Sequence, residues 1–345
     1  MRHTADLPAG ADGFDTSRLA GVLRDWDEPD VVGHRVVHGG TGFTGPVRID
    51  DVVRERLHDL TGLAPLHQPK SLAALDAVTG QFPGIAAVAC FDTAFHATIP
   101  EAAATYAVPR EWRDRYAIRR YGFHGLSHGY CSRRAAELLD RPQAGLRVVS
   151  CHLGAGASLA AVVDGRSVDT TMGFTPLEGL VMATRSGTVD PGLVLWLEEH
   201  EHLSPHEVAT ALEQRSGLTA LAGTGDMREV EAAADRGDTD AALALDVYTH
   251  RLVGGIGAMA AATGGMDVLV FTGGVGEHSS AVRRRAVERL RFLGAAIDLD
   301  RNDTVRDDQD ITAAGADVRT LVITAREDLQ IAREARGIVT AERSR

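Results

Sequence analysis

The chain has 345 residues, 44% of them hydrophobic, and a formal net charge of −12. A chain of this length can bury two cores, and so acidic a composition argues against nucleic acids and anionic membranes as partners. Lys70 is the only lysine and has no glycine before it, which excludes the Gly-Lys-Ser/Thr sequence of a P-loop. An anionic substrate must therefore be bound by arginines.

The three cysteines, Cys90, Cys131 and Cys151, lack C-x-x-C spacing. The sequence therefore predicts neither a disulfide framework nor a zinc site, and a reducing cytoplasm fits best. The first residues are polar and show no signal-peptide pattern. The run from Leu252 to Gly276 has membrane length, but it is rich in glycine and contains Asp267, so it is better interpreted as helix, turn and buried strand.

In chain order, a short amphipathic helix is predicted from Ser17 to Trp26, and β-branched runs that end at Gly or Asp then predict buried strands. Helical patterns separate several of these strands, while two glycine turns between Leu146 and Thr171 predict successive hairpins. The pattern indicates an α/β protein with mixed sheets. The predicted strands are 31–37, 85–91, 146–153 and 266–271.

Three glycine-rich turns follow predicted strands, at 38–42, 152–158 and 271–277. Glycine allows backbone N–H groups to approach an anion closely, so such turns are candidate phosphate sites. A tight turn can need glycine for steric reasons alone. For any single loop we therefore prefer a plain turn to a phosphate site. The three together favour a phosphate-binding protein.

Four charged residues lie at or near the predicted strand ends. Arg35 stands inside an apolar run, where an arginine is costly without a buried partner, so a functional role is favoured. Asp92 is either a helix N-cap or a functional carboxylate. Glu327 ends T-A-R-E, which matches a capping box that would open the last helix. Nothing local decides the role of Arg185 in T-R-S-G.

The histidines suggest two rival functions. His34 and His38, like His124 and His128, have i, i+4 spacing, but the first pair lies on a predicted strand and neither pair has the glutamate of H-E-x-x-H. G-L-S-H-G matches the nucleophile elbow of serine hydrolases, with Ser127 as nucleophile. That motif needs an apolar strand directly before it, and R-R-Y-G-F-H stands there instead, which argues against a serine hydrolase.

Longer motifs are more specific. The sequence contains, in order, G-H-R-V-V-H-G-G, F-D-T-A-F-H, R-R-Y-G-F-H-G-L-S-H, C-H-L-G-A-G-A-S and T-P-L-E-G-L-V-M-A-T-R-S-G. With the final strand and helix, these resemble the acetate kinase family over roughly residues 31 to 340. The resemblance implies the two-lobed, actin-like α/β ATPase fold of sugar kinases and heat-shock ATPases. Residues 1–92 plus 329–345 would form the N-terminal lobe, and 95–327 the C-terminal nucleotide-binding and dimerisation lobe.

The resemblance also implies reversible transfer of the ATP γ-phosphoryl group to acetate, giving acetyl phosphate and ADP, in a homodimer without nucleic-acid or membrane partners. Asp92, His124 and Arg185 would be catalytic, and Glu327 would hold Mg2+ or Mn2+. The acid would be bound by Arg35 with a small apolar pocket of Val37, Leu66, Phe123 and Pro176. The nucleotide would lie along His152, Leu153, Gly154, Ala155, Gly156, Asp226, Met227, Arg228, Gly274, Val275, Gly276, Glu277 and His278.

The sequence departs from the family in two places. Ala155 and His278 stand where the family has asparagines, which affects the affinity for the nucleotide or the choice of nucleotide. The family's opening strand and N-x-G-S-S-S-x-K loop have no counterpart here, so an incomplete N-terminal lobe is expected. We therefore expect the 345 residues alone to be nearly inactive, and an inactive nucleotide-binding relic is the alternative hypothesis.

Overall fold

The computed structural model describes residues 5, 9–10, 13–14, 16–23, 26–63 and 68–344. The chain divides into two units, Met1–Ala97 with Arg326–Arg345, and Thr98–Ala325. The sequence-based boundary placed Glu327 in the second lobe. The structure places it in the first unit, because the helix that it begins packs on that unit's sheet.

The helices and strands have the following bounds. The strands are β1 (Ala9–Gly10), β2 (Gly13–Phe14), β3 (Val32–Val36), β4 (Val47–Arg48), β5 (Ala87–Phe91), β6 (Arg147–Leu153), β7 (Ala157–Val163), β8 (Arg166–Thr170), β9 (Val268–Thr272), β10 (Gln309–Asp310) and β11 (Arg319–Val322). The α-helices are α1 (Thr16–Leu23), α2 (Asp51–Asp59), α3 (Gln68–Gln81), α4 (Glu101–Ala104), α5 (Arg110–Tyr116), α6 (Gly125–Leu138), α7 (Pro191–His200), α8 (Pro205–Gln214), α9 (Gly217–Ala222), α10 (Met227–Asp235), α11 (Thr239–Ala262), α12 (Gly273–His278), α13 (Ser280–Glu288), α14 (Leu299–Thr304) and α15 (Glu327–Arg343). Short 3-10 helices lie at Leu60–Leu63, Ala94–Thr98 and Arg291–Leu293.

In the first unit, β5 lies between β3, to which it is parallel, and β4, to which it is antiparallel. Every residue of β5 is buried, as its apolar run A-V-A-C-F predicts. Helix α15 packs against β3 and β5, and Gly33 permits this close approach, since a Cβ there would lie 2.4 Å from Ile331. The end of β3 and the residue after β5 are thereby fixed side by side.

The second unit contains a six-stranded sheet in the order β10-β11-β9-β6-β7-β8. The central strands β11, β9 and β6 are parallel, whereas β6, β7 and β8 form the two predicted hairpins. The four predicted strands are thus confirmed as β3, β5, β6 and β9. Because β6 and β9 are parallel neighbours, the loops that follow them leave the same edge of the sheet.

The two helical segments singled out in the sequence are both observed, the first of them in part. Helix α1 covers the helix predicted from Ser17 as far as Leu23, and the next two residues lie outside the described part of the chain. The apolar run from Leu252 becomes the end of α11, a turn and β9, as predicted. Among the described residues, no helix is long and apolar enough to cross a membrane.

The capping box predicted for the last helix is wrong. Helix α15 begins at Glu327 itself, with Arg326 as N-cap and no side-chain cap bond. Thr324 therefore lies two residues before the N-cap position that a capping box requires it to occupy. The carboxylate of Glu327 is left available for other contacts.

Candidate active site

In the first unit, Arg35 and Asp92 form a two-point ion pair. Strands β3 and β5 are parallel, and Arg35 lies opposite Cys90 in their register, so Asp92 follows at the same sheet edge. Arg35 Nε donates to Asp92 Oδ1 at 3.0 Å, and Nη2 donates to Oδ2 at 2.7 Å. The Asp92 carboxylate is buried, whereas the Arg35 side chain is 43% exposed. Asp92 thus orients a guanidinium that solvent or a ligand can reach.

Glu327 completes this first cluster. Its Oε2 lies 3.7 Å from Arg35 Nη1, on the far side of the guanidinium from the Asp92 bonds. The Asp92 carboxylate raises the pKa of Arg35 above its ordinary value, with burial opposing it. Burial raises the pKa of Glu327, and the charge of Arg35 opposes that shift. The cluster therefore holds one arginine between two carboxylates.

The glycine turn at 38–42 proves to be a structural turn. The amide of Gly39 donates to Thr93 Oγ1 at 3.0 Å, and that of Gly40 donates to His38 Nδ1 at 2.8 Å. Gly40 has φ +59, a left-handed conformation that favours glycine. Both central amides therefore already have hydrogen-bond acceptors within the protein. This loop does not match the phosphate site that the sequence suggested for the three glycine turns.

In the second unit, His124 and Arg185 converge on the backbone of Gly156. A Cβ at Gly156 would lie 3.1 Å from Arg185 Nη2 and 3.4 Å from His124 Nε2. Arg185 is held by the Pro176 carbonyl, which accepts from Nη1 at 2.7 Å, and burial lowers its pKa. His124 precedes α6 in a left-handed conformation with φ +56. Strained residues of this kind are frequent at functional sites.

The ring of His124 is fixed on two sides. It stacks on the ring of His152, with the centroids 4.3 Å apart, and its Nδ1 lies 2.9 Å from Ser158 Oγ. His152 in turn forms a 2.8 Å hydrogen bond through Nδ1 with Ser127 Oγ. A guanidinium and an oriented imidazole beside a glycine backbone are suited to stabilising charge on a phosphoryl group.

The predicted nucleotide segments are neighbours in this unit. A Cβ at Gly154 would lie 3.9 Å from the amide nitrogen of Gly274, so the loops after β6 and β9 are adjacent. The Ala155 carbonyl accepts from the amide of Ala183, and Gly225 lies against Ala183. The segment that begins at Asp226 is thereby brought to the same region, with the Asp226 side chain capping α10.

Two of the predicted nucleotide residues have structural contacts. Glu277 Oε1 accepts the amides of Gly273 and Ala325, both at 2.9 Å, so this carboxylate ties two loops together. Arg228 pairs with Asp226 at an exposed position. Ala155 and His278 are exposed, so their side chains are available to a ligand.

The predicted acid pocket is distributed over both units. Val37 belongs to the first unit, and Phe123 and Pro176 belong to the second. Phe123 is buried, and the Pro176 carbonyl holds Arg185. Leu66 lies outside the described residues.

The nucleophile elbow is wrong for this chain. Ser127 is wholly buried in the first turn of α6, and a turn rather than a strand precedes that helix. A nucleophile elbow requires a strand, a sharp turn and an exposed serine. The hydroxyl that could attack a substrate is instead bonded to His152 inside the protein.

The histidine pairs have buried or serine-bonded rings. Burial lowers the pKa of both His34 and His38 to about 4, so both are neutral near pH 7. Within the described part of the chain, no group of three or more His, Cys, Asp or Glu side chains could hold a metal ion. A divalent cation would therefore need phosphate oxygens or water as its other ligands, an arrangement typical of Mg2+.

Sequence reasoning missed the residues that hold the loop carrying Pro176. Tyr106 donates its hydroxyl to Glu178, and Arg120 Nη2 donates to the other oxygen of that carboxylate at 2.8 Å. A Cβ at Gly173 would collide with both Tyr106 and Glu178. The glutamate in T-P-L-E-G was the available signal, but its partners are 58 and 72 residues away in sequence.

A model described as the Acetokinase family matches residues 12–333. An acetate kinase of Desulfitobacterium hafniense is 46% identical over 320 residues, covering 92% of this chain and 80% of that protein. One from Nostoc punctiforme is 49% identical over 312 residues, covering 90% and 77%. Among solved structures, Porphyromonas gingivalis acetate kinase has a TM-score of 0.87 at 39% identity, covering 92% of this chain and 80% of its own. A Francisella tularensis propionate kinase has a TM-score of 0.85 at 40% identity, covering 89% and 79%.

Proposed function

The chain belongs to the acetokinase family, and from this premise we propose how two clusters of its side chains transfer a phosphoryl group between ATP and acetate. The family membership confirms the α/β fold of actin-like ATPase type that the motifs implied. It also identifies the protein as a phosphotransferase that acts on a carboxylate. The inactive-relic hypothesis has no support among these relatives.

The observation that carries the residue assignment is the convergence of His124 and Arg185 on Gly156. Phosphoryl transfer needs positioning and charge stabilisation more than covalent chemistry. Arg185 would neutralise charge on the migrating phosphoryl group, and His124 would donate a hydrogen bond to it. Both side chains are partly buried, which strengthens these interactions because the local dielectric is lower than that of water.

Arg35 would bind the carboxylate of the acid in the first unit. A carboxylate nucleophile is already ionised at neutral pH, so the reaction needs no general base. The Asp92 oxygens are engaged by Arg35 at 2.7 and 3.0 Å, which fits a residue that orients the guanidinium. We therefore assign Asp92 to positioning Arg35 rather than to removing a proton.

Glu327 is our candidate ligand for the divalent cation, with Mg2+ preferred to Mn2+. A single carboxylate fits, since Mg2+ in kinases is usually held by one or two carboxylates together with substrate phosphates. Bound there, the cation would neutralise charge on the phosphate oxygens. Glu327→Gln should raise the Mg2+ concentration needed for half-maximal turnover. Asp328→Asn is the matched control, because Asp328 pairs with Arg326 instead.

The nucleotide would lie along the adjacent segments at His152–Gly156, Asp226–Arg228 and Gly274–His278. Their proximity in the second unit supports this placement. Acetate is the proposed acid, with a small apolar pocket of Val37, Leu66, Phe123 and Pro176. The three cysteines are free and buried, which suits the reducing cytoplasm that we propose as its location.

We further propose a homodimer formed through α7 of the second unit. Leu193, Leu195 and Trp196 on this helix are 45%, 57% and 47% exposed. Exposed apolar patches commonly mark protein interfaces, and the family resemblance implies a dimer through the C-terminal lobe, to which α7 belongs. Light scattering should give twice the monomer mass, and Leu195→Glu should halve it, while Phe292→Glu at another exposed position should leave it unchanged. A monomeric wild-type protein would contradict this proposal.

The activity is tested by incubating the purified chain with ATP, Mg2+ and acetate and trapping acetyl phosphate with hydroxylamine. The reverse reaction is followed as ATP formation from ADP and acetyl phosphate. Arg185→Ala should slow both reactions by about 100- to 1,000-fold. Turnover at ordinary kinase rates would support the proposed function and overturn the sequence-based expectation of near inactivity, whereas no turnover in either direction would contradict the proposed function.

A further inference from the structure

Behind His124, a chain of buried hydrogen bonds runs into the second unit. Ser150 Oγ lies 2.9 Å from His128 Nδ1, and His128 Nε2 lies 2.9 Å from Ser158 Oγ. Ser158 Oγ in turn lies 2.9 Å from His124 Nδ1. Ser150, His128 and Ser158 are all fully buried. The chain ends at His124, whose Nε2 lies beside Gly156 and Arg185.

Three elements bring these residues together. His124 and His128 are one helical turn apart at the start of α6. Ser150 lies on β6, and Ser158 lies on β7 directly opposite His152. Their separation in sequence explains why the motif G-F-H-G-L-S-H reveals the histidines but not the serines that bind them.

Neutral imidazoles restrict where the hydrogens along this chain can lie. A serine hydroxyl has one hydrogen, so Ser158 can donate to His124 or to His128 but not to both. A neutral imidazole carries its hydrogen on one nitrogen only. A hydrogen on Nε2 of His124 leaves Nδ1 to accept from Ser158, so His128 must then donate to Ser158 through Nε2. A hydrogen on Nδ1 of His124 sets no such requirement, because the two lone pairs of Ser158 can accept from both rings.

The surroundings of His124 favour the neutral ring. The Arg185 guanidinium and the ring of His124 both flank Gly156, and the ring of His152 stacks at 4.3 Å. A second positive charge beside a partly buried arginine is disfavoured. A neutral His124 can donate to a phosphoryl oxygen through Nε2 only if Nδ1 accepts from Ser158.

We propose that Ser158 and His128 are positioning residues that hold His124 in its Nε2–H tautomer. This inference rests on the proposed function, which requires a donor at Nε2. Ser150 then donates to His128 Nδ1, His128 donates through Nε2 to Ser158, and Ser158 donates to His124 Nδ1. Each hydroxyl and each ring has one assigned hydrogen, and the donor faces the phosphoryl group without a protonated histidine.

The first test is nuclear magnetic resonance of the protein labelled with 15N in histidine. Long-range proton–nitrogen spectra distinguish the two tautomers of a neutral imidazole. We expect His124 and His128 to carry hydrogen on Nε2 in the complex with ADP, aluminium fluoride, Mg2+ and acetate. His124→Gln and His128→Gln assign the signals. Hydrogen on Nδ1 of either ring in that complex would overturn the proposal, and so would a protonated His124.

The second test uses turnover. Ser158→Ala should lower kcat by about 10- to 100-fold with little change in the KM for acetate, because the donor is misplaced rather than lost. Ser158→Thr, which keeps the hydroxyl, should recover part of kcat. Ser127→Ala is the matched control, since it removes an equally buried hydroxyl–imidazole bond from His152 but leaves the His124 chain intact. It should preserve the tautomer of His124.

The outcomes separate this inference from the proposed function. A wild-type enzyme that turns over while His128 carries hydrogen on Nδ1 would contradict only the ordering. Equal kcat values for Ser158→Ala and the wild type would also contradict only the ordering. A wild-type chain without phosphotransferase activity would contradict the function and remove the reason for the ordering. If Ser158→Ala does not fold, the tautomers of His124 and His128 in the wild-type protein still decide whether the ordering is correct.

Discussion

The guanidinium of Arg35 donates two hydrogen bonds to the carboxylate of Asp92, from Nε at 3.0 Å and from Nη2 at 2.7 Å. The two residues are 57 positions apart and meet because β3 and β5 are parallel. Asp92 is buried, and Arg35 is its ion-pair partner.

Arg35→Ala should therefore lower both activity and stability. The variant removes a candidate substrate-binding cation and leaves a buried carboxylate without its ion-pair partner. We expect a loss of about 1 to 3 kcal/mol in the free energy of unfolding, measured by urea denaturation. The double variant with Asp92→Ala should recover part of that loss. Arg48→Ala breaks an exposed pair with Glu342 and should change stability by less than about 1 kcal/mol. Equal effects of the Arg35 and Arg48 variants would argue against a buried ion pair.

Arg185→Ala should behave differently from Arg35→Ala. Arg185 donates to the Pro176 carbonyl, which is uncharged, so removing Arg185 does not leave a buried carboxylate without its cation at that bond. We expect kcat to fall by about 100- to 1,000-fold, as for other lost transition-state donors, with a change in unfolding free energy near 1 kcal/mol. Arg215→Ala, at an exposed position nearby in sequence, is the control. Near-normal turnover of the Arg185 variant would refute its assignment.

Ala155→Asn should strengthen nucleotide binding. The substitution adds a side-chain donor beside the predicted phosphate segment, and an added hydrogen bond contributes about 0.5 to 1.5 kcal/mol, or roughly a 2- to 10-fold lower KM for ATP. His278→Asn should change the ratio of kcat/KM between ATP and GTP. Both positions are exposed, so their stability should not change. Unaltered kinetics with both nucleotides would place these residues outside the nucleotide site.

Stability should fall in mild acid because of His34 and His38. Burial lowers the pKa of each to about 4, with the charge of Asp76 opposing the shift at His34. An unfolded imidazole has a pKa of about 6.5, so between those values the unfolded chain binds protons that the folded chain does not. The free energy of unfolding should therefore decrease as pH falls from about 6.5 to about 4, by up to roughly 3 kcal/mol per residue.

Replacing both histidines by glutamine should flatten that pH dependence in urea titrations. His58→Gln is the control, since His58 is exposed on α2. A double variant with the same pH dependence as the wild type would show that these two rings do not cause it.

The acid specificity should favour acetate over propionate by a modest factor. One methylene in an apolar pocket discriminates by about 1 to 3 kcal/mol, so some turnover of propionate is expected. The measurement is kcat/KM for acetate, propionate and butyrate. Butyrate turnover equal to that of acetate would contradict the small pocket.

Several features followed from the sequence itself. The strands β3, β5, β6 and β9 were predicted because β-branched runs bounded by Gly or Asp favour buried strands through local interactions. The long motifs indicated the family, because a motif is defined by the order of its residues and does not depend on contacts in the folded protein. The hairpins β6 to β8 followed from local glycine turns in the same way.

Only the tertiary structure decided which residues act on one another. Glu327 has the spacing of a capping box, yet it begins α15. Its carboxylate lies near the Arg35 guanidinium, although nearly the whole chain separates the two residues in sequence. Ser127 fits a nucleophile motif, yet its burial and its bond to His152 exclude that role. Ser158 ends the motif C-H-L-G-A-G-A-S, yet the motif does not predict its two hydrogen bonds, because another element brings both histidine rings to it. Sequence patterns report short-range preferences, whereas hydrogen bonding and charge depend on distances that only the packed sheets and helices determine.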